Sequence, residues 1–235
     1  MTAVDASTDP DAPGYDAAVA DLLGAMACAE LLAFERLAHD ATMAPTIDDK
    51  AELAGMAVAE FNHHRVLRAR LAELGIDPTA AMEPFVASLT ELHRRTTPSD
   101  WLEGLVKAHV GDGLAADFYR EISSHLDAST RELVLSVLAD TGHSGFVVPR
   151  VRAAIAADAR VAGRLALWGR RLVGEIMTQA QRVAGEREAL AALIIGGPGP
   201  DGADRAGIDL AEIGRMLGRL TEGHGARMAA LGLDA

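Results

Sequence analysis

Glu60 and His63 stand three residues apart inside a long apolar-patterned run, and Asp140 and His143 repeat the pairing later in the chain. Residues three apart on a helix lie about 60° apart in azimuth and one turn apart in height, so the carboxylate and imidazole of each pair can reach one point beside the helix. A single such pair is common on solvated helix surfaces. Two pairs, each following a helix with a carboxylate at the matching level, form a ligand pattern for two metal ions held between four helices.

The matching carboxylates come from treating each helix pair as a ruler. In the first hairpin, which turns near Met43, Glu30 and Glu60 lie about 13 residues before and about 17 after the turn, levels that agree within roughly one helical turn. Glu35 sits further off. In the second, which turns near Leu126, Asp112 and Asp140 are each about 14 residues from the turn. Asp117 lies about 7.5 Å from that level and serves as a reserve ligand, with Glu121 further still. The expected set is Glu30, Glu60, His63, Asp112, Asp140 and His143. Two iron ions about 4 Å apart, or manganese in their place, need bridging carboxylates, and one imidazole per metal leaves positions open for molecular oxygen. Without a cation, four carboxylates in an apolar interior are costly. Asp117 and Glu121 are also candidates to accept from the ligand imidazoles, and His109, one turn before Asp112, is a further supporting residue. His39, His64, His93, His125 and His224 read as surface or helix-end residues.

The elements that must position these groups are all helices. Apolar residues recur at helical spacing from Asp16 to His39. Thr46, followed by Asp48 and Asp49, starts a second helix that Gly75 stops near Leu74, with Pro78 blocking re-entry. A short crossover helix spans about Ala81 to Arg94. Thr97 as cap with Pro98 in the first turn starts a third long helix, from Trp101 to about Ser123. Ser129 with Glu132, or Asp127 two residues earlier, caps the fourth, which Pro149 kinks or ends. A further helix covers about 159–190, a flexible loop 195–207, and a last helix Leu210 to Leu231. The expected architecture is all-α: residues 1–14 a disordered lead, then one domain over 15–235, with an antiparallel four-helix core (16–157) and added C-terminal helices (158–235) packed outside it.

Composition agrees. The 235 residues are 49% apolar but only 4% aromatic, which suits an Ala- and Leu-rich helical core. The net charge of −12 argues against wholesale wrapping of nucleic acid. A lone cysteine, Cys28, excludes an intramolecular disulfide and fits a reducing compartment. No signal-peptide layout and no long uninterrupted apolar run are present, so the expectation is a cytoplasmic protein with no membrane span.

The run Cys28–Ala33 (CAELLA), the Glu60–His63 pair (EFNH), Val110–Tyr119 (VGDGLAADFY) and Leu138–His143 (LADTGH) together resemble the ferritin-like superfamily. More narrowly, they resemble the bacterial tRNA 2-methylthio-isopentenyladenosine hydroxylases and their shorter actinobacterial relatives. The likeness covers about 16–157, and the relatives share the Arg-rich helix through about Glu188. The resemblance implies a ferritin-like bundle in which Glu30, Glu60, His63, Asp112, Asp140 and His143 are di-iron ligands. It also implies oxygen-dependent hydroxylation of an isopentenyl group on the adenosine beside the tRNA anticodon, with an electron-donor protein as partner. The chain departs from the family at Asp112 and Asp140, where the hydroxylases usually have Glu. Asp is one methylene shorter, so it needs closer helices or binds the second metal less well.

A phosphate backbone needs a basic surface, and the strongly net-basic stretch 150–187 is the one feature that suits it. Arg160, Arg164, Arg170 and Arg171 are its candidate tRNA contacts, because guanidinium forks match phosphate. The bland reading pairs these arginines with acidic neighbours. Two function classes follow: a di-iron oxygenase acting on a modified tRNA base, or a ferritin-like metal-binding, ferroxidase or interaction bundle without that chemistry. A homodimer is compatible with either.

Overall fold

The computed structural model describes residues 14–139, 143–194 and 210–235, and every regular element among them is helical. The first helix, α1 (Tyr15–Asp40), packs along α2 (Ile47–Glu73) and crosses the shorter α3 (Pro78–Arg95). By length and composition α1 is apolar enough to cross a membrane, but Leu22, Leu23, Met26 and Leu37 are fully buried against its neighbours, so its apolarity is that of a core helix. The expected lead over 1–14 lies outside the described residues except for Gly14.

Local chemistry sets most boundaries. The Thr46 hydroxyl accepts from the Asp49 N–H at 3.1 Å and opens α2. Gly75, at φ 74°, closes it, with Ile76 N–H donating to Leu71 O at 2.9 Å. Pro78 then begins α3 rather than blocking a helix, because Asp77 caps it through the Thr79 N–H at 2.9 Å.

The third long helix is three segments: α4 (Trp101–Val106), a wider π-type turn (Lys107–Gly111) and α5 (Asp112–Ser123). Its cap is Asp100, not Thr97. Glu103 N–H donates to Asp100 Oδ1 at 3.0 Å while Glu103 Oε2 accepts from Ser99 N–H at 2.8 Å, a reciprocal box. Thr97 is spent on the end of α3, where its hydroxyl donates to His93 O and Arg94 O.

The fourth predicted helix is broken into α6 (Ala128–Val137), capped by Asp127, and α7 (His143–Ala157). Pro149 lies inside α7, so the interruption falls before the proline. The long C-terminal run divides at Arg187 into α8 (Arg160–Glu186) and α9 (Glu188–Ile194). The 195–207 loop lies outside the described residues, and α10 (Leu210–Leu231) completes the chain.

Two buried apolar clusters flank the middle of α1. One joins its N-terminal half to α3, α6 and α9; the other joins its C-terminal half to α2, α4, α7, α8 and α10. Between them Ala29–Phe34 are only half-buried, as are Ala115–Tyr119 on α5. The core is split there by a cavity.

Candidate metal centre

Glu30 from α1 meets Glu60 and His63 from α2 at the cavity wall. His63 Nδ1 lies 3.1 Å from Glu60 Oε2 and 3.6 Å from Glu30 Oε2, and one ligand atom from each residue falls within 4.8 Å of the others. The i, i+3 spacing stacks Glu60 and His63 on one side of α2, and the α1–α2 packing brings Glu30 level with them, as the hairpin ruler predicts. Burial, together with the Glu60 carboxylate alongside, pushes the Glu30 carboxyl well above its usual range, although His63 opposes this. The Glu30 and Glu60 carboxylates raise His63 to about 9 against its own desolvation. Two crowded carboxylates clasping a proton-bearing imidazole are a donor set short of a cation. Metal–ligand bonds of about 2 Å put neighbouring donors roughly 3 Å apart, so small side-chain rotations suffice to close this group on one ion. Two carboxylate oxygens and an imidazole nitrogen suit iron or manganese.

The cavity has a volume of about 440 Å³ and borders all three residues. Its walls are mostly apolar: Phe85 and Leu89 of α3, Phe118 of α5, Ile176 and Val183 of α8, Leu190 of α9. The C-terminal helices thus help enclose the interior. Tyr119 also borders it, and burial followed by the nearby Glu30 charge holds its phenol firmly protonated. Cys28 is buried with its thiol pushed up to about 11 by desolvation, which marks it as packing rather than a nucleophile.

Asp112 borders the same cavity, which favours it over Asp117 as the helix-three carboxylate facing the interior. It does not join the converging triad among the described residues, because Arg36 Nη2 donates to its Oδ2 at 2.7 Å. Asp140 and the side chain of His143 lie outside the described residues. Among the described residues, Asp117 and Glu121 are not partners of His63, whose ring faces Glu30 and Glu60. Asp117 is bound by Arg120 at 2.8 Å and Arg227 at 2.6 Å, and Glu121 by Arg219 at 2.7 Å, so arginines from α10 reach these acids instead. His109 is buried at the cavity edge with Nδ1 3.5 Å from Ser144 Oγ.

Two histidines read as surface residues are interior. His64 is buried with its Nδ1 2.7 Å from Ala27 O, since the turn of α2 that aims His63 at the cavity presses His64 onto α1. His224 is buried as well. Beyond the expected set stands a group the sequence does not advertise: Arg36, Asp40, Lys107 and His93. Lys107 is buried with Nζ donating to Thr96 O at 2.8 Å, and desolvation followed by the Arg36 charge lowers it to about 7. The same burial, then Lys107 and Arg36, depresses His93 to about 3.

Arg160, Arg164, Arg170 and Arg171 are all exposed on α8, and each has a local partner. Arg160 pairs with Asp158, Arg164 with Asp100 and Glu103, Arg170 with Asp234 O and Arg171 with Arg95 O. The α8 residues that border the cavity begin at Leu172, beyond all four.

A family model described as a ferritin-like domain of actinomycetes matches residues 13–197. No curated protein matches the chain.

Proposed function

From a chain that belongs to this actinomycete ferritin-like family, we propose an oxygen-dependent oxygenase that inserts oxygen into an apolar group held beside Glu30, Glu60 and His63. The observation that carries this reading is the apolar 440 Å³ cavity opening onto the triad. A bundle that only stores or oxidises iron has no use for an apolar chamber of that size at its metal ligands.

When bound, iron supplies the redox chemistry that activates molecular oxygen. Glu30 and Glu60 would hold it and offset its charge, and His63 would bind it as the neutral imidazole. Phe85, Phe118 and Ile176 hold the apolar group and exclude water from the reacting end. The protonated Tyr119 phenol, close enough to feel the Glu30 charge, offers a hydrogen bond to the hydroxyl that the reaction forms. A hydroxylation consumes one oxygen molecule, two electrons and two protons and releases one water, so an electron-donor protein is required.

The substrate that best suits both the chamber and the resemblance is the isopentenyl group of a 2-methylthio-isopentenyl adenosine in tRNA. The exposed Arg160, Arg164, Arg170 and Arg171 are available to its phosphates if they exchange their present partners. The test supplies iron-loaded protein, a reductant and oxygen with tRNA bearing that base, then measures the nucleoside mass. Gain of one oxygen atom, lost in Glu60→Gln and in the chamber-filling Ala180→Phe, is expected. Rapid iron oxidation with no gain of oxygen on the tRNA or on the free nucleoside would assign the chain to the ferroxidase or metal-binding class instead.

A further inference from the structure

We propose that Arg36 is a built-in counter-cation that holds Asp112 out of the metal shell, so that the centre takes one divalent ion per chain, on Glu30, Glu60 and His63. This rests on the metal-binding reading above and goes beyond it in setting the nuclearity.

The geometry is specific. The Arg36 side chain is 6% exposed, with Nη2 2.7 Å from Asp112 Oδ2 and Nη1 3.6 Å from Asp40 Oδ2. A guanidinium stays charged at any pH the fold survives, so this cation cannot step aside by losing a proton. The group that faces Glu30 and Glu60 is instead His63, an imidazole that can itself ligate a metal. The two halves of the bundle interior therefore differ in kind. On the α1–α2 side, two carboxylates face an imidazole that is itself a metal ligand. On the α5 side, the expected ligand carboxylate faces a permanent charge, with Lys107 buried five positions before Asp112 on the same helix.

A second dication that used Asp112 would have to displace Arg36, and the displaced guanidinium is buried. Its Nε and Nη1 already lack hydrogen-bond partners among the described residues, so Asp112 supplies the one short hydrogen bond of the group. Uncovering a buried charge by removing its partner is strongly destabilising, and a second metal would have to offset that cost. The shorter Asp side chain fits this arrangement, since the carboxylate meets a guanidinium that reaches across from α1.

The test is an anaerobic titration of the full chain with ferrous iron, with retained metal per chain measured by elemental analysis after desalting. The wild type is expected to saturate at one equivalent, falling to none in His63→Ala and staying at one in Asp112→Asn. Arg36→Gln is expected to admit a second equivalent and Arg36→Lys to remain at one, each checked for intact helicity. Two equivalents in the wild type, one of them lost in Asp112→Asn, overturn the inference while leaving the oxygenase reading standing. A folded Arg36→Gln that stops at one equivalent overturns the role given to Arg36. A wild type that retains no metal overturns the oxygenase reading, and this inference with it. Should Arg36→Gln fail to fold, the Asp112→Asn arm decides.

Discussion

The Tyr15 hydroxyl donates to Asp127 Oδ2 at 3.0 Å and accepts from the Asp127 N–H at 2.7 Å, fastening the first turn of α1 to the cap of α6 across 112 residues. Asp127 Oδ1 in turn accepts from the Ser129 and Thr130 N–H groups, each at 3.0 Å. One carboxylate thus starts a helix and closes the chain end of the domain against its second half.

Removing that carboxylate is therefore expected to cost more than a cap alone. Asp127→Ala should lose about 1–2 kcal/mol for the cap, with roughly 1 kcal/mol more for the lost hydrogen bond from the Tyr15 hydroxyl; Tyr15→Phe should cost about 1 kcal/mol. The pH dependence has a definite sign. Burial opposes ionisation of Asp127, but hydrogen bonds from Thr130, Ser129 and Tyr15 outweigh it and hold the carboxyl well below its usual range. Its contribution is present above the unfolded value of about 3.9 and fades as pH falls below it. Thermal melts of wild type and Asp127→Ala should converge below about pH 4; a gap that widens in acid would refute the assignment.

Gly24 is where α1 and α3 touch. A Cβ there would lie 2.2 Å from Ala81 O, which the backbone of α3 cannot relieve by a rotamer change. Gly24→Ala should destabilise by at least ~1–3 kcal/mol in denaturant melts. Gly55, in the interior of α2 with nothing within 4 Å, provides the contrast. Gly55→Ala should stabilise by up to ~1 kcal/mol. Equal effects at the two sites would show that the α1–α3 approach is looser than described.

Lys107 gives a pH effect of the same sign as that of Asp127 but in an alkaline window, and as a penalty that fades rather than a gain that appears. Desolvation, then the Arg36 charge, lowers its ammonium to about 7 from an ordinary value of 10.5. Between those values the unfolded chain binds a proton that the folded chain does not, so stability attributable to this residue rises with pH across the window. Lys107→Met removes both the cost and the dependence. Relative to wild type it should be more stable near pH 7, with the advantage shrinking toward pH 10. A constant difference across that range would mean that Lys107 stays charged when folded.

Much of the fold is legible in the chain because helices declare themselves locally. Thr46, Asp127 and Gly75 act within four residues of themselves, and α1 and α2 close to their expected bounds follow from such signals and from apolar periodicity. The pairing of Glu60 with His63 is local for the same reason, and placing Glu30 beside them needs only a count along two antiparallel helices of fixed rise. What misled was competition between neighbouring polar residues. Thr97 and Asp100 both suit a helix start, and the choice of Asp100 rests on Glu103 folding back to Ser99.

The sequence by itself determined an all-helical, ferritin-like chain whose α1–α2 hairpin brings two carboxylates and an imidazole to one level, because helical rise and azimuth are properties of the backbone alone. Only the tertiary structure decided which groups meet across helices that share no such ruler. The partner of Asp112, the burial of His64 and the capture of Asp117 and Glu121 by α10 depend on how each helix is rotated about its axis and where the long arginine side chains reach. Those rotations are fixed by side-chain packing summed over the whole interior, and a rotation of one residue's azimuth, about 100°, is enough to exchange a ligand for a core residue.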